Sequence, residues 1–146
     1  MSLYRPPITV LGATHYEHQA TASISVTPTQ NSWYTVLNTT SNVLLEWIQV
    51  HQINDQSAAK SLAVRITIDG QVLQSGSVSC AHNTGYRIYI HPTGILAFST
   101  GDVNPGIYIP WPGRSVKVEV QFADVPGTNQ VLNAWIQYAT LKATTL

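Results

Sequence analysis

The residues best suited to bind a metal ion stand together near the start of the chain, in the segment THYEH. His15, Glu17 and His18 are side chains that zinc accepts as ligands. In an extended chain His15 and Glu17 share one face and His18 points to the other, so one ion would not collect all three. The segment is therefore interpreted as a loop or a strand edge, and no metal, no cofactor and no catalytic residue is predicted.

No enzyme motif accompanies this segment. The sequence contains no glycine-rich phosphate loop, no HExxH pair and no nucleophile elbow. Cys80 is the single cysteine, which excludes an intrachain disulfide and a cysteine metal cluster, and we expect it to be a small buried residue. The chain is accordingly predicted not to be an enzyme.

A different chemistry is suggested by the aromatic residues around a proline-flanked loop. Trp111 stands between two prolines in IPWPGR, and Tyr108 is close to it in sequence. A rigid, exposed tryptophan can stack on a sugar ring, and Asn104 or Asp102 would then supply polar contacts to the glycan. Trp111 can equally cap the end of a hydrophobic core. The first interpretation defines an alternative function, that of a carbohydrate-binding module or lectin.

Composition narrows the class of partner. Charged residues make up only 10% of the chain and the formal net charge is zero, so no electrostatic surface for nucleic acid or anionic lipid is expected. The first residues lack a basic segment followed by an apolar run, and no apolar stretch is long enough to span a bilayer. We therefore expect no nucleic-acid partner, no membrane partner and no signal peptide, and synthesis in a cytoplasm. Uncharged polar residues dominate instead, which suits virion and extracellular surfaces.

Apolar residues alternate with a period of two along most of the chain, and no stretch carries a helical stripe. The hairpin SLAVRITIDGQVLQSG is the clearest example, with Asp69-Gly70 as its turn and a modest outer face of Ala63, Arg65 and Thr67. The pattern predicts an all-β protein, a two-sheet antiparallel sandwich of jelly-roll type, with an immunoglobulin-like sandwich as the alternative. Residues 1–146 are expected to form one domain, with residues 1–7 as an N-terminal arm. The predicted core comprises Val64, Ile66, Ile68, Val116, Val118, Val120 and Ile136.

Three predicted strands are apolar on both faces. In VLLEWIQVHQI, assigning Leu44 and Ile48 to the core leaves Leu45 and Trp47 outside, and YRIYIH and VLNAWIQYATL repeat the pattern. The free face of a half-solvated antiparallel sheet should be polar, so large apolar groups there indicate an interface. The predicted interface consists of Leu45, Trp47, Tyr89 and Trp135, and the predicted partner is a second copy of the chain.

The succession SWYTVLNTTSNVLLEWIQV and KSLAVRITIDGQVL resembles β-sandwich modules of tailed-bacteriophage virion proteins. In such modules a strand with a tryptophan, a short turn, a long apolar strand and a strand ending in Ile-Asp-Gly follow one another. Here these features are Trp33 to Asn38, Leu44 to Val50 and Val64 to Gly70. The resemblance implies a structural, often trimeric component of the virion (capsid, decoration, tail or fibre), with other virion proteins as further partners. It identifies no catalytic residue.

Overall fold

The computed structural model describes residues 14–90, 96–100 and 111–143, and within these ranges it describes the side chains of residues 20–89, 96–100 and 112–140. The expected N-terminal arm lies outside the described residues. So do Asp102, Asn104 and Tyr108 of the alternative glycan site.

Strands are the only regular elements in the described ranges, and none of the described residues forms a helix that could cross a membrane. The strands are β1 (Thr14–Val26), β2 (Ser32–Thr39), β3 (Val43–Ile53), β4 (Lys60–Ile68), β5 (Gln71–Gln74), β6 (Val78–Cys80), β7 (Tyr86–Ile90), β8 (Leu96–Thr100), β9 (Trp111–Gly113), β10 (Val116–Phe122) and β11 (Val131–Ala143).

The strands form two antiparallel sheets. The first sheet has the order β1-β11-β3-β7-β8, with β9 also pairing with β3, and the second has the order β2-β10-β4-β5, with β6 also pairing with β4. The first four strands alternate between the two sheets, and so do β10 and β11, so the chain wraps around a common core. The prediction of an all-β, two-sheet antiparallel sandwich is confirmed.

The core lies between the sheets and is built from the alternating apolar residues. All seven predicted core residues are buried, and six of them are completely inaccessible to solvent. In β4 and β10 core-facing residues alternate with outward-facing ones, because successive side chains of a strand point to opposite faces. Of the outward-facing residues, Ala63 and Glu119 are also buried. The predicted hairpin also forms: Asp69 and Gly70 have φ angles of 49° and 81° between β4 and β5, as a tight two-residue turn requires.

The alternation breaks in β3, and the prediction for Leu45 is wrong for that reason. Gln137 of β11 pairs with Trp47 while the next residue, Tyr138, pairs with Leu45, so Glu46 is an extra residue in the ladder. A β-bulge inserts one extra residue into a strand, so the side chains beyond it point to the opposite face from the one that strict alternation predicts. Leu45 is completely buried in the core, and Leu44, which was assigned to the core, is only half-buried.

Candidate interaction surface

The outer face of the first sheet carries the two tryptophans that the sequence placed outside. Four adjacent strands contribute a row of register partners to this face, in the order Ser23, Trp135, Gln49 and Arg87. Trp47 lies on the same face because it is two residues before Gln49 in β3. Trp135 is 37% exposed, one of four large hydrophobic residues that are exposed among the described side chains. We call Trp47, Trp135, His51, Gln137 and Arg87 the tryptophan patch.

Trp47 is held by polar neighbours within the patch. Its indole Nε1–H donates to Gln137 Oε1 at 2.8 Å, and Gln137 Nε2 in turn donates to Glu46 Oε2 at 2.8 Å. The guanidinium carbon of Arg87 lies 5.4 Å from the centroid of the Trp47 ring, a distance at which a cation is attracted to the aromatic face. The bulge therefore has a second effect, since the extra residue Glu46 supplies the acceptor that orients Gln137.

Trp135 is oriented by the neighbouring histidine. The His51 and Trp135 rings are tilted by 53° with their centroids 6.0 Å apart. His51 Nε2 is 3.0 Å from Asn83 Oδ1, and His51 Nδ1 is 3.2 Å from Asn133 Nδ2. These two contacts fix the orientation of the imidazole ring beside Trp135. No described residue accepts a hydrogen bond from the Trp135 indole, so that N–H stays available to an external group.

The four residues predicted as an interface do not all lie on one face of the sheet. Trp47, Tyr89 and Trp135 lie on the outer face of the first sheet, since their neighbours Ile48, Ile88 and Ile136 are in the core. Leu45 is separated from them by the sheet. The sequence did not reveal that Gln137 contacts both Trp47 and Glu46, because these contacts depend on the register across the bulge.

The remaining predicted sites are only partly described. Trp111 pairs through its backbone with Leu45 at the start of β9, and its side chain lies outside the described ones. THYEH forms the beginning of β1, an outer strand of the first sheet, with a register irregularity between Tyr16 and His18. Within the side chains that the structure describes, no three His, Cys, Asp or Glu residues are grouped as metal ligands. Cys80 is buried, and burial raises the pKa of its thiol to about 12.

A second cluster, which the sequence did not predict, lies on the outer face of the other sheet. Arg65 Nε and Nη2 donate to Glu119 Oε1 and Oε2 at 3.0 and 2.9 Å, and the Arg65 guanidinium carbon is 4.1 Å from the Trp33 ring centroid. Lys117 Nζ is 3.7 Å from Glu119 Oε2. The hydrogen bonds from Arg65, followed by the charges of Arg65 and Lys117, lower the pKa of Glu119.

Comparison with known proteins finds a likeness among solved structures. No protein-family model matches the chain, and no curated protein matches it. Among solved structures, a chain of the "Cyanophage Pam1 capsid asymmetric unit" is similar to this one at 13% sequence identity and a TM-score of 0.38. The alignment covers 96% of this chain and 94% of that one.

Proposed function

We propose that this protein is a non-enzymatic structural or assembly component of a virion, and that it binds further copies of itself through the tryptophan patch. The observation that supports the self-association is the placement of Trp47 and of the partly exposed Trp135 on the outer face of the first sheet. A sheet face with no partner is expected to be polar. Here two of the four tryptophans of the chain are on it.

The composition of the patch supports a protein partner. Interfaces concentrate aromatic residues and arginine at their centre and polar residues at their rim. Trp47, Trp135 and Arg87 correspond to such a centre, and the amides of Gln49 and Asn133 flank them. Burying a fully exposed large apolar side chain contributes roughly 1.5 to 3 kcal/mol, and covering the part of each tryptophan that is still exposed contributes a fraction of that value to association.

The virion assignment is supported by the order of sequence features from Trp33 to Gly70 and by the low charge of the chain. We propose in addition that the protein is located in the particle, that it contacts other virion proteins there, and that it forms a trimer. A closed ring of identical subunits satisfies a self-associating patch without leaving copies of it exposed. Only the sequence resemblance favours three subunits over two.

The experiment measures the oligomeric state of three variants. Trp135→Glu and Trp47→Glu each place a charge in the proposed contact, and Val72→Glu, at a residue of the other sheet that is 55% exposed, is the matched control. Light scattering at tens of micromolar detects a contact of about micromolar affinity, with a free energy near 8 kcal/mol. We expect an oligomer for the wild type and for Val72→Glu, and a monomer with an unchanged circular dichroism spectrum for the two tryptophan variants.

A monomeric wild type at that concentration would contradict the proposal. Glycan binding by such a monomer, lost on Trp111→Ala, would instead support the carbohydrate-binding alternative. Tryptophan variants that remain oligomeric would show that the subunits meet elsewhere on the sandwich.

A further inference from the structure

The Arg65 side chain on the second sheet is held in one orientation by two different contacts. Glu119 binds its Nε and Nη2 edge through two hydrogen bonds, and Trp33 lies against the guanidinium. The Glu119 side chain is only 9% exposed, so the carboxylate that fixes Arg65 is itself sheltered. A guanidinium fixed in this way loses little conformational entropy when it binds a further group.

Arg65 keeps hydrogen-bonding capacity after these contacts. A guanidinium has five N–H donors in a planar fork, and Glu119 occupies one on Nε and one on Nη2. None of the described residues accepts a hydrogen bond from the Nη1 and Nη2 edge, and the side chain is 29% exposed. This edge has the spacing that binds a carboxylate with two parallel hydrogen bonds.

The charge around Arg65 favours an anion. Lys117 is 41% exposed and lies beside Glu119, so two cations face one carboxylate. The register neighbours of the cluster on this face are uncharged, and they are Thr35, Gln74, Asn38, Thr67 and Val72. The cluster therefore carries a net positive charge in a chain whose total formal charge is zero.

We propose that the outer face of the second sheet is a separate docking surface, in which the free edge of Arg65, with Lys117 beside it, binds an acidic side chain of a partner polypeptide. A polypeptide is favoured because Trp and Arg together are characteristic of the central anchors of protein interfaces. Register partners on four adjacent strands, in the order Thr35, Glu119, Arg65 and Gln74, lie side by side across one sheet face, whereas small ligands prefer concave sites.

The test titrates isotope-labelled full-length protein with acetylated, amidated tetraglutamate, and uses the tetraglutamine peptide as the neutral control. The Nε–Hε resonance of Arg65 and the indole resonance of Trp33 are the readouts. We expect both resonances to shift saturably with tetraglutamate and not with tetraglutamine, and the affinity for tetraglutamate to fall as salt is added. Arg65→Lys keeps the charge but removes the planar fork, so its affinity should fall roughly tenfold, measured by calorimetry.

Two further variants separate the site from general charge effects. Lys117→Gln should lower the affinity for the tetraglutamate peptide. Arg114→Gln, at an exposed arginine in the turn before β10, should leave that affinity unchanged. Equal shifts with both peptides, or unchanged affinity in Arg65→Lys, would overturn the proposal. Shifts produced by a uronic-acid oligosaccharide but not by the peptide would overturn it in favour of an acidic glycan. Because the tryptophan patch is on the other sheet, the Trp135→Glu variant should bind the peptide as the wild type does, and this outcome is independent of the oligomeric state.

Discussion

The bulge at Glu46 predicts opposite effects for two adjacent leucines. Leu45 is completely buried between the sheets, so truncation to alanine removes packed methyl groups and leaves a cavity, which costs about 3 kcal/mol. Leu44 lies on the other side of the strand and is half-buried. Its truncation loses part of a transfer free energy and leaves no closed cavity, and it should cost roughly 1 kcal/mol.

Urea unfolding of Leu45→Ala and Leu44→Ala measures this difference. With a denaturant slope of about 2 kcal/mol per molar, the midpoint should fall by roughly 1.5 M for Leu45→Ala and roughly 0.5 M for Leu44→Ala. All variants are compared at one protein concentration, because self-association adds to the stability. If Leu44→Ala were the more damaging change, β3 would alternate without interruption and the assignment of Glu46 as a bulge would be refuted.

Three other predictions follow from burial and charge. Ile66→Asp puts an unpaired charge at a completely buried position at a cost of several kcal/mol, comparable to the stability of a whole domain, so circular dichroism should show an unfolded chain, while Val72→Asp stays folded. Hydrogen bonds and charge from Arg65 lower the folded-state pKa of Glu119 below its ordinary value of 4.5. The stability that they contribute is therefore present above pH 4.5 and is lost as the pH falls through the folded-state pKa, so wild-type unfolding should depend on pH more steeply in this range than that of Glu119→Gln. Burial raises the pKa of Cys80 to about 12, so a thiol reagent at pH 8 should react only after urea is added, and rapid reaction of the native protein would show that Cys80 is accessible.

Alternation alone was sufficient to predict the sandwich and much of its core. Ile66 and Val118 lie in strands with an unbroken period of two in which every second residue is apolar, and both are completely buried. The same rule failed at Leu45, because a bulge inserts one residue without changing the composition of the strand. Val36 and Leu37 show a second case: both are buried, next to a register shift between β2 and β10.

The Arg65–Glu119 pair was beyond sequence analysis for a different reason. Arg65 and Glu119 are 54 positions apart, and they meet only because β4 and β10 pair in one particular register. Each charge on its own is typical of the solvated face of a strand. Trp47 and Trp135 could be recognised individually, because a large aromatic residue at an outward position is unusual wherever the strand is placed in the sheet.

The pairing of β1 with β11 and of β2 with β10 determines when the sandwich can form during synthesis. Thr21 of β1 pairs with Gln137 of β11, and Tyr34 of β2 pairs with Val120 of β10. Neither early strand can therefore form these pairs until the last third of the sequence has been synthesised. Among the described strands, the pairs β3–β7, β4–β5, β4–β6 and β7–β8 can form earlier. The nascent chain thus emerges from the ribosome with open strand edges, which are prone to aggregate. Folding should be slow, since contacts distant in sequence carry the largest entropic cost of closure.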